Sequence, residues 1–405
     1  MREMKDSGVE WIGEIPVDWK LSKIGSVYDE RNEKVSDKDF VPLSVTKQGI
    51  VPQLETAAKT DNGDNRKLIR KDDFVINSRS DRRGSCGISE YEGSCSLINT
   101  VLKPQTNMCN RYYGFVFKSD GFADEYYRWG HGIVDDLWST KWIDMKSIYI
   151  PEPDITEQER IADYLDAKCS KIDEIIEKQQ AIIEKLKEYK LSYINEITNV
   201  NDGIKCHLGF VGHMKNGFNY TDTPEGHKIK FLGVGDFKDN FFIDKEDMFS
   251  TIISEESVAE DYMLRSGDII FVRSNGSKEL VGRAVMVNKI EYPVTYSGFC
   301  IRFRNIRPDI IDSKFLLYYF RSFDFRKQLE KYSQGSNISN LNQELLSSLQ
   351  FTIPSMDYQK NVLNAMQKKC KEIDNVIAKF EGINNKLKEY KKSLIYEVVT
   401  GKKEV

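Results

Sequence analysis

The hexapeptide KLKEYK at Lys185–Lys190 returns unchanged at Lys386–Lys391. Working outward at a shift of 201 positions, Leu165, Cys169, Ile172, Ile176, Ile183 and Leu186 fall over Met366, Cys370, Ile373, Ile377, Asn384 and Leu387. Six residues of Lys, Glu, Leu and Tyr recur by chance in charged helical sequence. A register held over some thirty residues does not, and it marks an internal duplication.

The first copy sits in an expected helix from Thr156 to Asn199, 44 residues without Pro or Gly, with Thr156 and Glu159 reading as a capping box. Leu165, Cys169, Ile172, Ile176, Gln179, Ile183, Leu186, Lys190, Tyr193 and Ile197 alternate at four and three, a heptad seam that Ile175, Ile182 and Tyr189 widen on one side. At 1.5 Å per residue such a helix is about 66 Å long, too long to be buried across one small domain. Asn201-Asp202-Gly203 ends it. The second helix is expected over Asp357 to Thr400, stopping at Gly401, with Gly382 in its interior where the first has Ala181. The first helix carries seven basic and ten acidic residues, the second nine and six, so their net charges of -3 and +3 favour pairing with each other. A globular domain must be threaded between them, which makes antiparallel packing the simpler arrangement.

Ahead of each helix lies a less regular stretch. Residues 1–19 carry WIGEIPVDW, whose two tryptophans and Pro16 suit either a docking arm or a locally packed strand. Residues 20–153 alternate short β-like runs (FVPLSV, DFVINS, SLINTVL, SIYIP) with Gly, Asn and Asp turns, and one helical patch covers roughly Arg111 to Trp129. Residues 203–353 repeat that order: Ile24-Gly25 matches Leu208-Gly209, DDFVINSRSD at Asp72–Asp81 matches GDIIFVRSN at Gly267–Asn275 with one gap, and FKSDGF at Phe117–Phe122 lies over FRSFDF at Phe320–Phe325. Ile150-Pro151 is laid over Ile353-Pro354. The expected fold is α+β: two irregular mixed domains (20–153 and 203–353) joined by two long helices (154–202 and 354–405) packed as an antiparallel coiled coil, with a pseudo-twofold internal repeat and an N-terminal arm (1–19).

Composition bounds the function. The 405 residues, 40% hydrophobic and 30% charged, suffice for two ordinary cores. A net charge of -4 gives no general pull on nucleic acid, so any basic site is local. The N-terminus lacks the apolar run of a signal peptide and no run approaches eighteen apolar residues, so a cytoplasmic location and no membrane association are expected. Seven cysteines without a CxxC pair and four histidines offer no zinc spacing, and the thiols are expected to be reduced and packed.

No catalytic centre is legible. FLGVG at Phe231–Gly235 fits the FxGxG pattern of an S-adenosylmethionine loop, but the DFKDNFF that follows does not open a helix, and every proline is isolated, so no Asn-Pro-Pro-Tyr motif exists. GxxxxGK[ST], HExxH and GxSxG are absent as well. Local charge stands out instead. Between Arg66 and Arg83, seven basic residues (Arg66, Lys67, Arg70, Lys71, Arg79, Arg82, Arg83) face three acids, and at the matching place Arg265, Arg273, Lys278 and Arg283 face Asp268 and Glu279. Arginines beside Ser80, and beside Ser274 and Asn275, mix the donors and acceptors that read base edges with those that hold phosphates.

These stretches resemble the specificity subunits of type I restriction-modification systems. SGVEWIGEIPVDWKLSKIG, IPEPDITEQERIADYLDAKCSKIDEII and GDIIFVRSNGSKELVGRA are similar to how such subunits read, and the order of recognition domain, long helix, recognition domain, long helix covers essentially the whole chain. The second exit block, IPSMDYQKNVLNAMQKKCKEID, departs by losing the Glu-Gln-Glu run. The resemblance implies a non-catalytic subunit whose two target recognition domains each read one half of a split, asymmetric site on double-stranded DNA, with the helices as the ruler. It implies two methylation subunits bringing S-adenosylmethionine, and restriction/translocation subunits bringing ATP and Mg; no cofactor is expected on this chain. By the same resemblance, DNA contacts are expected at Asn77, Arg79, Ser80, Arg82 and Arg83, at Arg273, Ser274, Asn275 and Lys278, and at Ser336 and Asn337, with Gly130-His131-Gly132 matching the last pair. Two other readings stay open: a coiled-coil adaptor binding proteins through its end domains, and a self-contained methyltransferase using FLGVG.

Overall fold

The computed structural model describes residues 2–53, 63–79, 82–105, 107–132, 138–219, 222–255, 257–332 and 340–405. The chain divides into two compact units, Met1–Gln179 with Glu381–Val405, and Gln180–Phe380. Helices are numbered in chain order. Two of them run 44 residues each, α4 (Ile155–Thr198) and α9 (Met356–Val399). The first part of α4 and the last part of α9 belong to the first unit, and the remaining parts to the second.

In the first unit, a four-stranded antiparallel sheet runs in the order Cys86–Ile88, Phe74–Asn77, Asn99–Pro104, Tyr28–Glu30. Helices α1 (Asn110–Lys118) and α2 (Asp120–Arg128) press Tyr113, Phe117 and Phe122 into one core with Tyr28 and Phe74. A short helix, α3 (Trp142–Met145), leads into the strand Tyr149–Glu152, which pairs with Lys20–Lys23. The N-terminal arm closes this core: Trp11, Ile12, Ile15 and Trp19 are buried in it. Leu165, Cys169 and Ile172 of α4 and Leu394, Ile395 and Val398 of α9 reach the same core, and Lys391 of α9 pairs with Asp173 of α4 at 2.6 Å. Late residues of one helix meet early residues of the other, so the pairing is antiparallel.

The second unit repeats the plan. After α5 (Leu208–Val211), a sheet runs in the order Gly212–Asn216, Cys300–Asn305, Ile269–Val272, Ala284–Val287, with Phe242–Ile243 added parallel at the edge. Helices α6 (Ser313–Phe320) and α7 (Phe323–Tyr332) carry Phe315, Phe320 and Phe325 into its core, and α8 (Gln343–Ser348) precedes the strand Gln350–Ile353, paired with Ile204–His207. Ile194 of α4 and Met366 and Cys370 of α9 share a cluster, and Lys190 pairs with Asp374 at 2.7 Å. Each ion pair is the other displaced by 201 positions. They are formed by the last lysines of the two KLKEYK copies.

Finer marks of duplication correct three details of the sequence reading. Gln158 accepts from the Cys109 amide at 2.9 Å and donates to the Pro153 carbonyl at 2.8 Å; Gln359 does the same with Asp312 and Pro354, both at 2.8 Å. Lys20 lies opposite Glu152 and Ile204 opposite Ile353, so Glu152-Pro153, not Ile150-Pro151, corresponds to Ile353-Pro354. The cap of α4 is Asp154, whose Oδ1 accepts from the Glu157 amide at 2.9 Å, rather than Thr156; Ser355 serves α9 in the same way. Ile175, Ile182 and Tyr189, read as widening the seam, are exposed, because one neighbouring helix covers only a narrow stripe.

Helix α9 stops at Gly401, whose φ of +72° lies in the left-handed region. A Cβ there would stand 2.4 Å from Pro16 Cδ of the arm. Gly401→Ala is expected to destabilise the first unit by about 2–4 kcal/mol, combining backbone strain with overpacking, and a urea titration followed by Trp fluorescence should show it as an earlier midpoint.

Candidate nucleic-acid interface

The loop that leaves the strand Phe74–Asn77 is built from the end of a buried β-ladder. Asn77 is itself buried, and its Oδ1 accepts from the Arg79 amide at 3.1 Å, turning the chain outward. The Ser78 amide bonds to the Ile98 carbonyl of the neighbouring strand's approach at 3.3 Å. Arg79, Arg82 and Arg83 are exposed beyond this point, with Arg83 engaging Asp124. Arg79 also borders a cleft of about 680 Å³, lined by Lys67, Leu97, Ile98, Lys141, Trp142 and Ile143 among others.

The second unit has the same construction. Arg273 follows the strand Ile269–Val272, its amide bonds to the Phe299 carbonyl at 2.7 Å, and its Nη1 donates to the Gly298 carbonyl at 3.3 Å. Phe299, at the place of Ile98, is 63% exposed beside it. Asn275 Oδ1 accepts from the Ser277 amide at 2.8 Å, holding the next turn, and Lys278 opens a 3-10 turn at Lys278–Leu280. Ser274 and Asn275 are half-buried. Thus Asn77, Arg79, Arg82 and Arg83 share one loop, and Arg273, Ser274, Asn275 and the Lys278 backbone share its counterpart. Ser80, Ser336 and Asn337 lie outside the described residues. His131 is paired in the backbone with Ser139, next to the Arg79 bridge to that same residue.

Not every base of the two sequence clusters contributes to an open surface. Arg66 and Lys67 are buried strand residues, the first bonded to Ser94 and the second to Glu30. Arg265 and Arg283 face Glu260 and Asp239. Sequence reasoning missed Leu97, Ile98, Trp142, Ile143 and Phe299. The available signal was faint: Leu97-Ile98 and Phe299 directly precede matched strands at an offset of 201.

At the start of each of these strands, the end away from the loop, lies a buried carboxylate. Asp73 accepts from the Arg70 amide at 2.8 Å and is gripped by Arg31; Asp268 accepts from the Arg265 amide at 2.7 Å and is gripped by Arg304 through two contacts of 2.7 Å. These carboxylates raise the pKa of both arginines. FLGVG is the end of a strand followed by a 3-10 turn, which Asp236 closes by accepting from the Gly233 amide at 2.7 Å. Burial pushes the thiols of Cys86 and Cys300 up to about 12 and that of Cys95 to about 11, which makes them poor nucleophiles and metal ligands. Among the described residues no group of three His, Cys, Asp or Glu could hold a metal ion, and no helix is long and apolar enough to cross a membrane.

Residues 207–389 match the type I restriction modification DNA specificity domain. The type I restriction enzyme EcoKI specificity subunit of Escherichia coli K12 is 25% identical over 151 residues, which are 37% of this chain and 32% of that protein's length. The MjaVIII specificity subunit of Methanocaldococcus jannaschii is 27% identical over 428 aligned positions, covering 96% of this chain and 93% of that one. A solved structure described as "Structural basis underlying complex assembly and conformational transition of the type I R-M system" shares the fold, with a TM-score of 0.71 at 14% identity over 95% of this chain and 98% of that chain. The resemblance read from the sequence is therefore found in these sequence matches, and the fold is shared with a solved structure over nearly the whole chain.

Proposed function

We propose that this chain is the non-catalytic, sequence-reading subunit of a type I restriction-modification complex, each unit reading one half of a bipartite, asymmetric DNA site. The observation that carries the reading is the repeated loop: in both units it leaves a buried sheet strand, is stitched to the carbonyl of residue 98 or its counterpart 299, and carries arginine, exposed at Arg79 and half-buried at Arg273. In this reading Arg79, Arg82 and Arg273 would meet phosphates and guanine edges, while Ile98 and Phe299 would offer apolar contact to bases. The paired helices would fix the spacer between the half-sites. S-adenosylmethionine, ATP and Mg chemistry would reside on the methylation and restriction subunits.

Docking of two methylation subunits has its own support. Each long helix exposes an apolar stripe at heptad spacing, Ile175, Ile182 and Tyr189 on α4 and Val376, Ile383 and Tyr390 on α9. The two stripes are equivalent at an offset of 201, as two copies of one partner require.

The test is DNA binding by the chain assembled with its methylation subunits, measured over a range of salt. Log affinity should fall linearly with log salt. Arg273→Ala should weaken binding by about 1–3 kcal/mol and relax base preference in one half-site only. Binding insensitive to salt would return the chain to the adaptor reading, and methylation by the purified chain alone would sink the non-catalytic assignment.

A further inference from the structure

The two units differ at one place where the duplication leaves a seat filled in one and open in the other. In the first unit the N-terminal arm fills it. Trp11 packs edge-on against Phe122 of α2 with ring centres 5.9 Å apart, and Glu10 pairs with Arg128 at 2.7 Å. Tyr396 and Lys402, at the end of α9, hold the Trp11 and Ile12 carbonyls at 3.1 and 2.8 Å. Gly121 and Gly401 leave room for Trp11 and for Pro16.

In the second unit the strand Ile204–His207 is entered from α4 itself, so the duplication leaves no separate arm to lie there. The counterparts of the arm's contacts are Asp324 for Gly121, Lys331 for Arg128, Val200 for Gly401 and Asn201 for Lys402. All four line one groove of about 750 Å³, together with Lys205, Cys206, His207 and Lys327. Lys205, Lys327 and Lys331 are exposed, and among the described residues none of them forms an ion pair. Among the described residues Asp324 is the single acid on the wall.

We propose that this groove is the seat of an extended acidic segment of a partner protein, lying where the arm lies in the first unit. The filled seat favours a peptide over a nucleic-acid backbone. Charge favours an acidic one, since three lysines face one aspartate. The arm of a second copy is disfavoured, because Asp324 and Val200 stand where glycines admit Trp11 and Pro16. This inference does not depend on the DNA reading.

Cys206 is a built-in reporter: it borders the groove and is half-exposed, whereas the other six cysteines are buried. Partial burial raises its pKa, so maleimide labelling is best followed at mildly alkaline pH. The full chain is labelled with and without a synthetic peptide of residues 6–18 carrying Trp11→Ala and Pro16→Ala, which has four acids and no base. The peptide is expected to slow Cys206 labelling, and Lys327→Glu with Lys331→Glu, both on the solvent side of α7, to raise the peptide concentration needed by about tenfold or more. Circular dichroism and the labelling rate without peptide should be unchanged in that variant. Three results would overturn the proposal: no protection by the peptide, protection only when Trp11 and Pro16 are retained, which would indicate a second copy, or equal protection by double-stranded DNA alone.

Discussion

Asp268→Ala is expected to destabilise the second unit by about 3–5 kcal/mol, the cost of leaving a partly buried guanidinium without its carboxylate. Asp268 is 2% exposed and its two oxygens meet Nε and Nη2 of Arg304, each at 2.7 Å. One of these oxygens also accepts from the Arg265 amide, so the substitution opens the turn that begins the strand Ile269–Val272. That turn has Gly267 at a φ of +94°, and its counterpart in the first unit has Asp72 at +69°. The thermal transition of the second unit should fall by roughly 10 °C, taking a few degrees per kcal/mol for a unit of this size. Asp268→Ala with Arg304→Met should recover part of the loss, since it removes the stranded charge. If calorimetry shows Asp268→Ala and the parent chain melting together, the ion pair contributes nothing net. Because the Arg273 loop grows from the same strand, the variant should also lose base preference in one half-site.

The second large effect concerns assembly. Ile182→Glu together with Ile383→Glu is expected to abolish co-purification of methylation subunits, a loss of about 100-fold or more if each isoleucine is an anchor at the centre of an apolar contact. Tyr390 neighbours Lys391, which pairs with Asp173 two residues from Ile175; in the other unit Tyr189 neighbours Lys190, which pairs with Asp374 two residues from Val376. Each unit therefore places apolar residues of both helices at one level. The exposed substitutions should leave the chain's own stability within about 0.5 kcal/mol. Ile182→Glu alone should leave a complex with one methylation subunit, visible by light scattering. A full complex formed by the double variant would remove the stripes from the interface.

The helices were the most legible part of the sequence, since Leu165, Cys169 and Ile172, with Met366, Cys370 and Ile373, are buried where the heptad spacing puts them. Cap positions were less so: Asp154 and Thr156 are both good capping types, and only the backbone shows which one accepts the amide bond. The basic clusters were legible as charge but not as surface. A strand turns alternate side chains to opposite faces, and Arg66 and Lys67 are drawn inward by Ser94 and Glu30, partners that are distant in sequence. Ile98 and Phe299 escaped notice because a single exposed apolar residue carries no pattern.

The two cross-helix ion pairs bear on how such a chain could arise. Asp173 and Lys190 both lie on α4, and Asp374 and Lys391 both lie on α9. Either helix thus carries both halves of the code, so a single ancestral sequence laid antiparallel against a copy of itself would already satisfy both pairs. Duplication required no new contact between the helices. The present net charges of -3 and +3 add a preference of each helix for the other over its own kind.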